Sequence, residues 1–267
     1  MPTLTAAASS LADAPPATFD ADAHAILCAV WRTYPRAAAG WRSLFAPDQP
    51  TPKRWENLRD GTPLLDETMI RWDSAQLRQQ HRRLQRLLLS PGFRELEALD
   101  DLRRHLAPRS YEPARWARLY LTTADDDPEP ELLFGGYIIQ PFLYQFARRV
   151  LPRLNQENWR RDRCPVCGGR PYHGYLHPQS RQRILVCTRC QCPWTAPRLR
   201  CPFCANIAQD SLGYFYLDRA TRHRVDYCGI CRSILPITLY PESQVPFPLH
   251  DHLDSMSLQN AIEGSRR

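Results

Sequence analysis

Apolar positions in the first half of the chain recur at helical intervals. Ile70, Leu77, Leu84 and Leu88 fall seven, seven and four residues apart, on one face of a helix. Arg71, Arg78, Arg82, Arg83 and Arg86 lie mostly on the other faces. A second helical run covers Phe93 to Leu106, and a third, Pro113 to Leu121, starts with a proline suited to a first turn. Glu131 to Leu154 is the most apolar helix, with Phe134, Ile138, Phe142, Phe146 and Val150 at spacings of four. Pro141 inside it predicts a kink or a split in two. Together these stripes predict the core of a helical bundle. Cys28, in the apolar run Ala25 to Trp31, reads as an inert member of that core.

At Trp159 the pattern changes. Short β-like runs follow, separated by turn residues: Arg183 to Val186, Gly213 to Tyr216, Val225 to Tyr227 and Ile234 to Tyr240. Leu249 to Ala261 predicts one amphipathic helix through Leu253, Met256 and Leu258. The fold class expected is α+β: an all-α domain, then a tandem rubredoxin-like or zinc-ribbon β region with two tetracysteine sites, then a C-terminal helix. The expected boundaries are a disordered, Ala-, Ser- and Pro-rich tail over 1–20, the helical domain over 21–160, the metal-binding region over 161–245 and the helix and tail over 246–267.

A length of 267 residues fits one or two domains, and 43% hydrophobic residues suffice for a packed core. The 25 prolines favour loops and short helices over long regular sheets. The first residues lack the basic cluster and apolar core of a secretory signal, and no stretch approaches the roughly 20 apolar residues of a membrane helix. A cytoplasmic protein with reduced thiols is therefore expected.

The ten cysteines are unevenly placed, and four pairs stand out: Cys164-Pro-Val-Cys167, Cys187-Thr-Arg-Cys190, Cys201-Pro-Phe-Cys204 and Cys228-Gly-Ile-Cys231. A three-residue offset lets a tight turn aim both sulfurs at one ion, while backbone N–H groups in the turn donate to the thiolates. Gly168, just after Cys167, tolerates the positive φ that such a turn often needs. Nineteen residues separate the first pair from the second and 23 the third from the fourth, intervals that hold a returning hairpin. The simplest assignment is sequential: Cys164, Cys167, Cys187 and Cys190 at one ion, Cys201, Cys204, Cys228 and Cys231 at another. An interleaved pairing, first with third and second with fourth, is the alternative. Cys192 is either a spare thiol or a substitute for Cys190, and eight thiolates leave His173, His177, His250 and His252 without a place in either tetrahedron.

These sites alter the charge argument. The formal net charge is +7, but two divalent ions in eight thiolates contribute −2 each, leaving 7 − 4 = +3. The basic excess is thus weak evidence for nucleic acid. Four thiolates suit zinc and iron alike, so spacing leaves the metal open. It also leaves open whether the ions only hold up a small domain or serve in sensing or donating iron.

The C-terminal half resembles the FdhE family, the formate dehydrogenase accessory proteins. Pro152 and Trp159 precede Cys164-Pro-Val-Cys167-Gly168; Arg183, Leu185 and the Cys187 pair lead to Trp194, Arg198 and the Cys201 pair; Tyr214 or Tyr216 and Arg224 come before the Cys228 pair. The tail Asp251-His-Leu-Asp-Ser-Met-Ser-Leu258, with Gly264 beyond, is similar to the family's terminal helix, and Phe142-Leu143 after Gln140-Pro141 fits the helix leading into its metal region. The likeness covers about residues 131 to 264. Ser233-Ile234 stands where an aromatic residue is common, and the chain is somewhat short for the family. The resemblance implies a cytoplasmic, non-catalytic assembly factor with two rubredoxin-like iron sites on the eight paired cysteines. Its implied partner is the catalytic subunit of formate dehydrogenase, and it makes iron the preferred metal over zinc.

No Gly-x-Ser-x-Gly, Gly-x-x-x-x-Gly-Lys or His-Glu-x-x-His occurs, in keeping with a protein that is not an enzyme. Two other classes compete. A zinc-ribbon nucleic-acid binder would use Arg181, Arg183, Arg189, Arg198 and Arg200, with Phe203, Tyr214 and Phe215 stacking on bases. A rubredoxin-like electron carrier would have no need of the large helical region.

Overall fold

The computed structural model describes residues 21–46, 49–72, 74–91, 112–123, 130–156, 159, 162–216 and 222–241. The tail expected over 1–20, the helix expected over Phe93 to Leu106, the C-terminal helix, His250 and His252 lie outside them. In chain order the described helices are α1 (Ala21–Ala38), α2 (Trp41–Leu44), α3 (Pro52–Arg59), α4 (Ala75–Leu88), α5 (Pro113–Thr122) and α6 (Pro130–Val150). The strands are β1 (Pro171–Leu176), β2 (Arg183–Cys187), β3 (Pro193–Ala196), β4 (Leu212–Phe215), β5 (His223–Cys228) and β6 (Ile234–Leu239).

Two compact units emerge. Among the described residues, one contains those within 21–51 and 65–152; the other contains those within 52–64 and 153–241. In the helical unit, α4 buries Leu77, Leu84 and Leu88 as the periodicity predicts, and Gln80 with them. Ser74 caps this helix, its hydroxyl accepting from Gln76 N. The cap places Ile70 outside α4, contrary to the stripe that included it. Ile70 is still buried, because it pairs with Phe45 in an isolated antiparallel bridge. Phe45 in turn packs on Phe146 of α6, ring centroids 4.9 Å apart. Gly135 of α6 lies against the Trp116 backbone of α5, where no Cβ fits.

The expectation for Pro141 needs correcting in one respect: α6 runs through it from Pro130 to Val150, unsplit, and ends in a 3-10 turn over Leu151–Arg153. Proline removes one helical donor, which orphans the Tyr137 carbonyl four residues back. That carbonyl is reached instead by a side chain of α4.

The second unit is built on one six-stranded sheet in the order β3-β2-β1-β6-β5-β4. Two three-stranded halves meet where β1 and β6 pair in parallel, Gly174 opposite Ile237 and Leu176 opposite Leu239. All other pairings are antiparallel. β1 and β3 had no counterpart among the expected strands. Pro171 and Gly174 disguise β1, whereas β3 opens on Pro193, tolerable as the first residue of an edge strand. That edge is closed by Gln156, whose side chain accepts from Thr195 N at 3.0 Å and donates to the Pro193 carbonyl at 3.2 Å.

Candidate metal centres

Each half of the sheet repeats one layout. A Cys-x-x-Cys turn precedes the first strand, the second strand ends on a cysteine, and that cysteine opens another Cys-x-x-Cys turn before the third strand. All four turns close in the same way. The N–H of the first cysteine donates to the carbonyl five residues on: Cys164 to Gly169, Cys187 to Cys192, Cys201 to Asn206 and Cys228 to Ser233, at 2.8–3.1 Å. The fourth residue after each first cysteine has a left-handed backbone: Gly168 (φ 74°), Gln191 (57°), Ala205 (62°) and Arg232 (59°). Only the first of these is glycine, so composition signalled one turn in four.

The turns also aim donors at sulfur. Val166 N, Arg189 N and Phe203 N donate to the first sulfur of their own turns at 3.3–3.4 Å. The Asn206 side chain, absent from any motif, adds a donation to Cys228 Sγ at 3.6 Å while binding Ser211 Oγ at 2.7 Å. Donors of this kind favour thiolate over thiol.

Paired turns then bring the sulfurs together. Cys164, Cys167, Cys187 and Cys190 form one group and Cys201, Cys204, Cys228 and Cys231 the other, all four sulfurs of each lying within 4.8 Å of one another. The sequential grouping is therefore the one assembled. Cys164 and Cys190 sulfurs are 3.6 Å apart, Cys167 and Cys187 3.4 Å, Cys201 and Cys231 3.6 Å, and Cys204 and Cys228 3.8 Å. A tetrahedron with metal–sulfur bonds of about 2.3 Å has edges of about 3.8 Å, whereas a disulfide needs about 2.05 Å. The spacing fits ions and excludes disulfides among these pairs. Two metal ions can be held.

Cys192 belongs to neither group; its sulfur donates to the Pro193 carbonyl at 3.5 Å and its own carbonyl closes the second turn. His173 is buried in the sheet and shares the Thr238 hydroxyl with His223, at 2.9 and 3.0 Å.

The two centres differ in electrostatics. In the first, burial pushes the Cys164 and Cys190 thiols well up, so four thiolates there require a cation. In the second, burial raises Cys201 to about 12. Burial also acts upward on Cys228, but backbone N–H groups of Cys231 and Ile230 and the Asn206 side chain outweigh it, bringing that thiol to about 6. Cys204 is exposed, whereas Cys164, Cys187 and Cys190 are buried.

With this geometry established, likeness to known proteins becomes specific. The chain is 30% identical over 123 residues to the protein FdhE homolog of Aquifex aeolicus (strain VF5), covering 45% of this chain and 43% of that protein. It is 32% identical over 122 residues to the protein FdhE homolog of Haemophilus ducreyi, covering 45% and 39%. Over these stretches the chain is similar to FdhE proteins. The alignments span under half the length of these curated relatives. The crystal structure of the FdhE protein from Pseudomonas aeruginosa superposes with a TM-score of 0.67 at 21% identity, over 98% of this chain and 90% of that one, which shows a shared fold. No family model matches the chain. Among the described residues, no helix is long and apolar enough to cross a membrane.

Proposed function

We propose that this chain is a cytoplasmic, non-catalytic accessory protein that binds the formate dehydrogenase catalytic subunit during its assembly or maturation. The observation that carries the reading is the pair of four-sulfur groups in a chain related to FdhE proteins. In this reading Cys164, Cys167, Cys187 and Cys190 hold one metal ion, and Cys201, Cys204, Cys228 and Cys231 the other. Iron is preferred over zinc. Eight thiolates in closed groups leave no open coordination position for substrate, which favours binding over turnover.

The nucleic-acid alternative loses support at two of its five arginines. Arg183 and Arg189 are buried, and Arg183 is committed to the carbonyls of Pro197 and Arg200. The test is twofold: co-purification of the tagged chain with the catalytic subunit, and formate dehydrogenase activity in a strain lacking this protein. Co-purification together with lost activity supports the proposal. Normal enzyme in the deletion strain, with no capture of the subunit, refutes it.

A further inference from the structure

The sheet has two edges, and they are treated differently. Gln156 closes β3, but β4 is the other outermost strand and nothing among the described residues pairs with its outer side. Ser211 O accepts from Gly229 N at 2.7 Å, and the register pairs Gly213 with Tyr227. Bonded and non-bonded pairs alternate in an antiparallel ladder, so Gly213 and Phe215 face β5 while Tyr214 turns its N–H and C=O outward. An open N–H and C=O of this kind is a template for another strand.

Beside that edge lies a cleft of about 670 Å³, with Cys201 and Cys228 among its lining residues. Four arginines line it, Arg183, Arg198, Arg200 and Arg224, against one carboxylate, Asp226. Asp226 is already held by Arg224, whose Nε lies 2.9 Å away, and by Arg183 at 3.6 Å. Arg224 in turn stacks on the exposed Tyr214 ring at 4.3 Å. Arg198 and Arg200 make no ion pair among the described residues and complete the lining with exposed Leu199 between them. The balance is 4 − 1 = +3, and a divalent ion in four thiolates next door leaves 3 − 2 = +1. The cleft remains cationic with the second centre loaded.

We propose that this cleft is a docking site for an extended, acidic segment of the client polypeptide, which adds as a strand to β4 and places a carboxylate against Arg198 and Arg200. The inference rests on the accessory-protein reading and names the surface that reading needs. Strand addition draws affinity from main-chain bonds and specificity from alternating side chains, here an acidic residue over the arginines and an apolar one over Tyr214 and Leu199. A nucleic-acid strand fits less well. Its phosphates would meet the Asp226 carboxylate of the lining, and the outward amide of Tyr214 matches a peptide backbone.

The experiment uses the full-length metal-loaded chain and the formate dehydrogenase catalytic subunit as probe. Arg198→Glu with Arg200→Glu reverses the charge, and Tyr214→Pro removes an outward N–H without touching the bonds to β5. Arg82→Glu with Arg86→Glu, on exposed helix positions, is the charge-matched control. Metal content and circular dichroism report folding of each variant. The expected result is capture at least tenfold weaker for both cleft variants and unchanged for the control. A photo-cross-linker replacing Leu199 then joins a net-negative client peptide. Capture by the wild type that neither cleft variant weakens overturns the inference and leaves the accessory role standing. No capture by the wild type refutes that role and the docking site with it. A cross-link to nucleic acid, or to no client peptide while capture persists, also overturns the inference.

Discussion

Gln80 donates its side-chain amide to the carbonyl of Tyr137 at 3.5 Å, and that is the carbonyl Pro141 leaves without a helical donor. The same amide donates to Thr33 Oγ1 at 2.8 Å, so one buried glutamine ties α1, α4 and α6 together. Gln80→Leu should destabilise the protein by about 1–3 kcal/mol, the cost of a buried polar group left without its partner. Adding Pro141→Ala restores a backbone N–H, so the double variant should recover part of that loss. Denaturant titrations of the four forms measure the coupling. Strict additivity would show that Gln80 does not act through this carbonyl.

The repeated left-handed position in the cysteine turns makes a paired prediction. Gly168→Ala should cost about 1–2 kcal/mol, because a Cβ is disfavoured at positive φ. Its Cβ would also sit 3.2 Å from Pro63. Ala205→Gly removes the same penalty at the equivalent position and should be neutral or stabilising by up to about 1 kcal/mol. Thermal unfolding of the metal-loaded protein reads both, and equal losses would contradict the account.

Exposure of Cys204 beside burial of Cys164, Cys187 and Cys190 predicts that the two centres release metal at different rates. A chromogenic chelator should show two phases of one ion each, the faster from the second centre. Cys204→Ser should halve the metal content and abolish the fast phase. Cys164→Ser should also lose one ion, remove the slow phase and unfold at lower denaturant. A single phase in the wild type would contradict the inequality.

His81 gives the helical unit a pH response. Burial first, and Arg82 second, lower its folded value from 6.5 to about 4, and its ring meets Phe134 edge-on at 5.8 Å. The unfolded chain therefore binds a proton that the folded one refuses between those values. The stabilising effect of neutral His81 is complete above pH 6.5 and is lost as pH falls through that window to about 4. His81→Phe should have a flatter stability profile across it, and acid loss of metal, common to both proteins, cancels in the difference. Parallel profiles would refute this role.

The grouping of the eight cysteines was legible because a tight turn writes its geometry locally, as a three-residue offset. The helices were legible where one face is apolar, as in Leu77, Leu84 and Leu88. What could not be read depends on partners distant in the chain. Gln80 looks like a polar residue breaking a stripe until Tyr137 is beside it. Gln156 shows no role until it lies along Thr195, and β1 hides behind Pro171 and Gly174 until β6 pairs with it. Asn206 carries no motif because its contact with Cys228 spans 22 positions. Arg183 reads as a nucleic-acid contact, and only the fold buries it, with Arg224, around Asp226.

Elemental analysis of anaerobically purified protein, taken with its visible absorption and thiol alkylation in the native state, bears most directly on the two centres. The account predicts two ions per chain, iron with a thiolate-to-iron band, and eight cysteines shielded from alkylation until a chelator is added. Protein that is folded yet holds neither iron nor zinc, with these eight thiols freely alkylated, would contradict it.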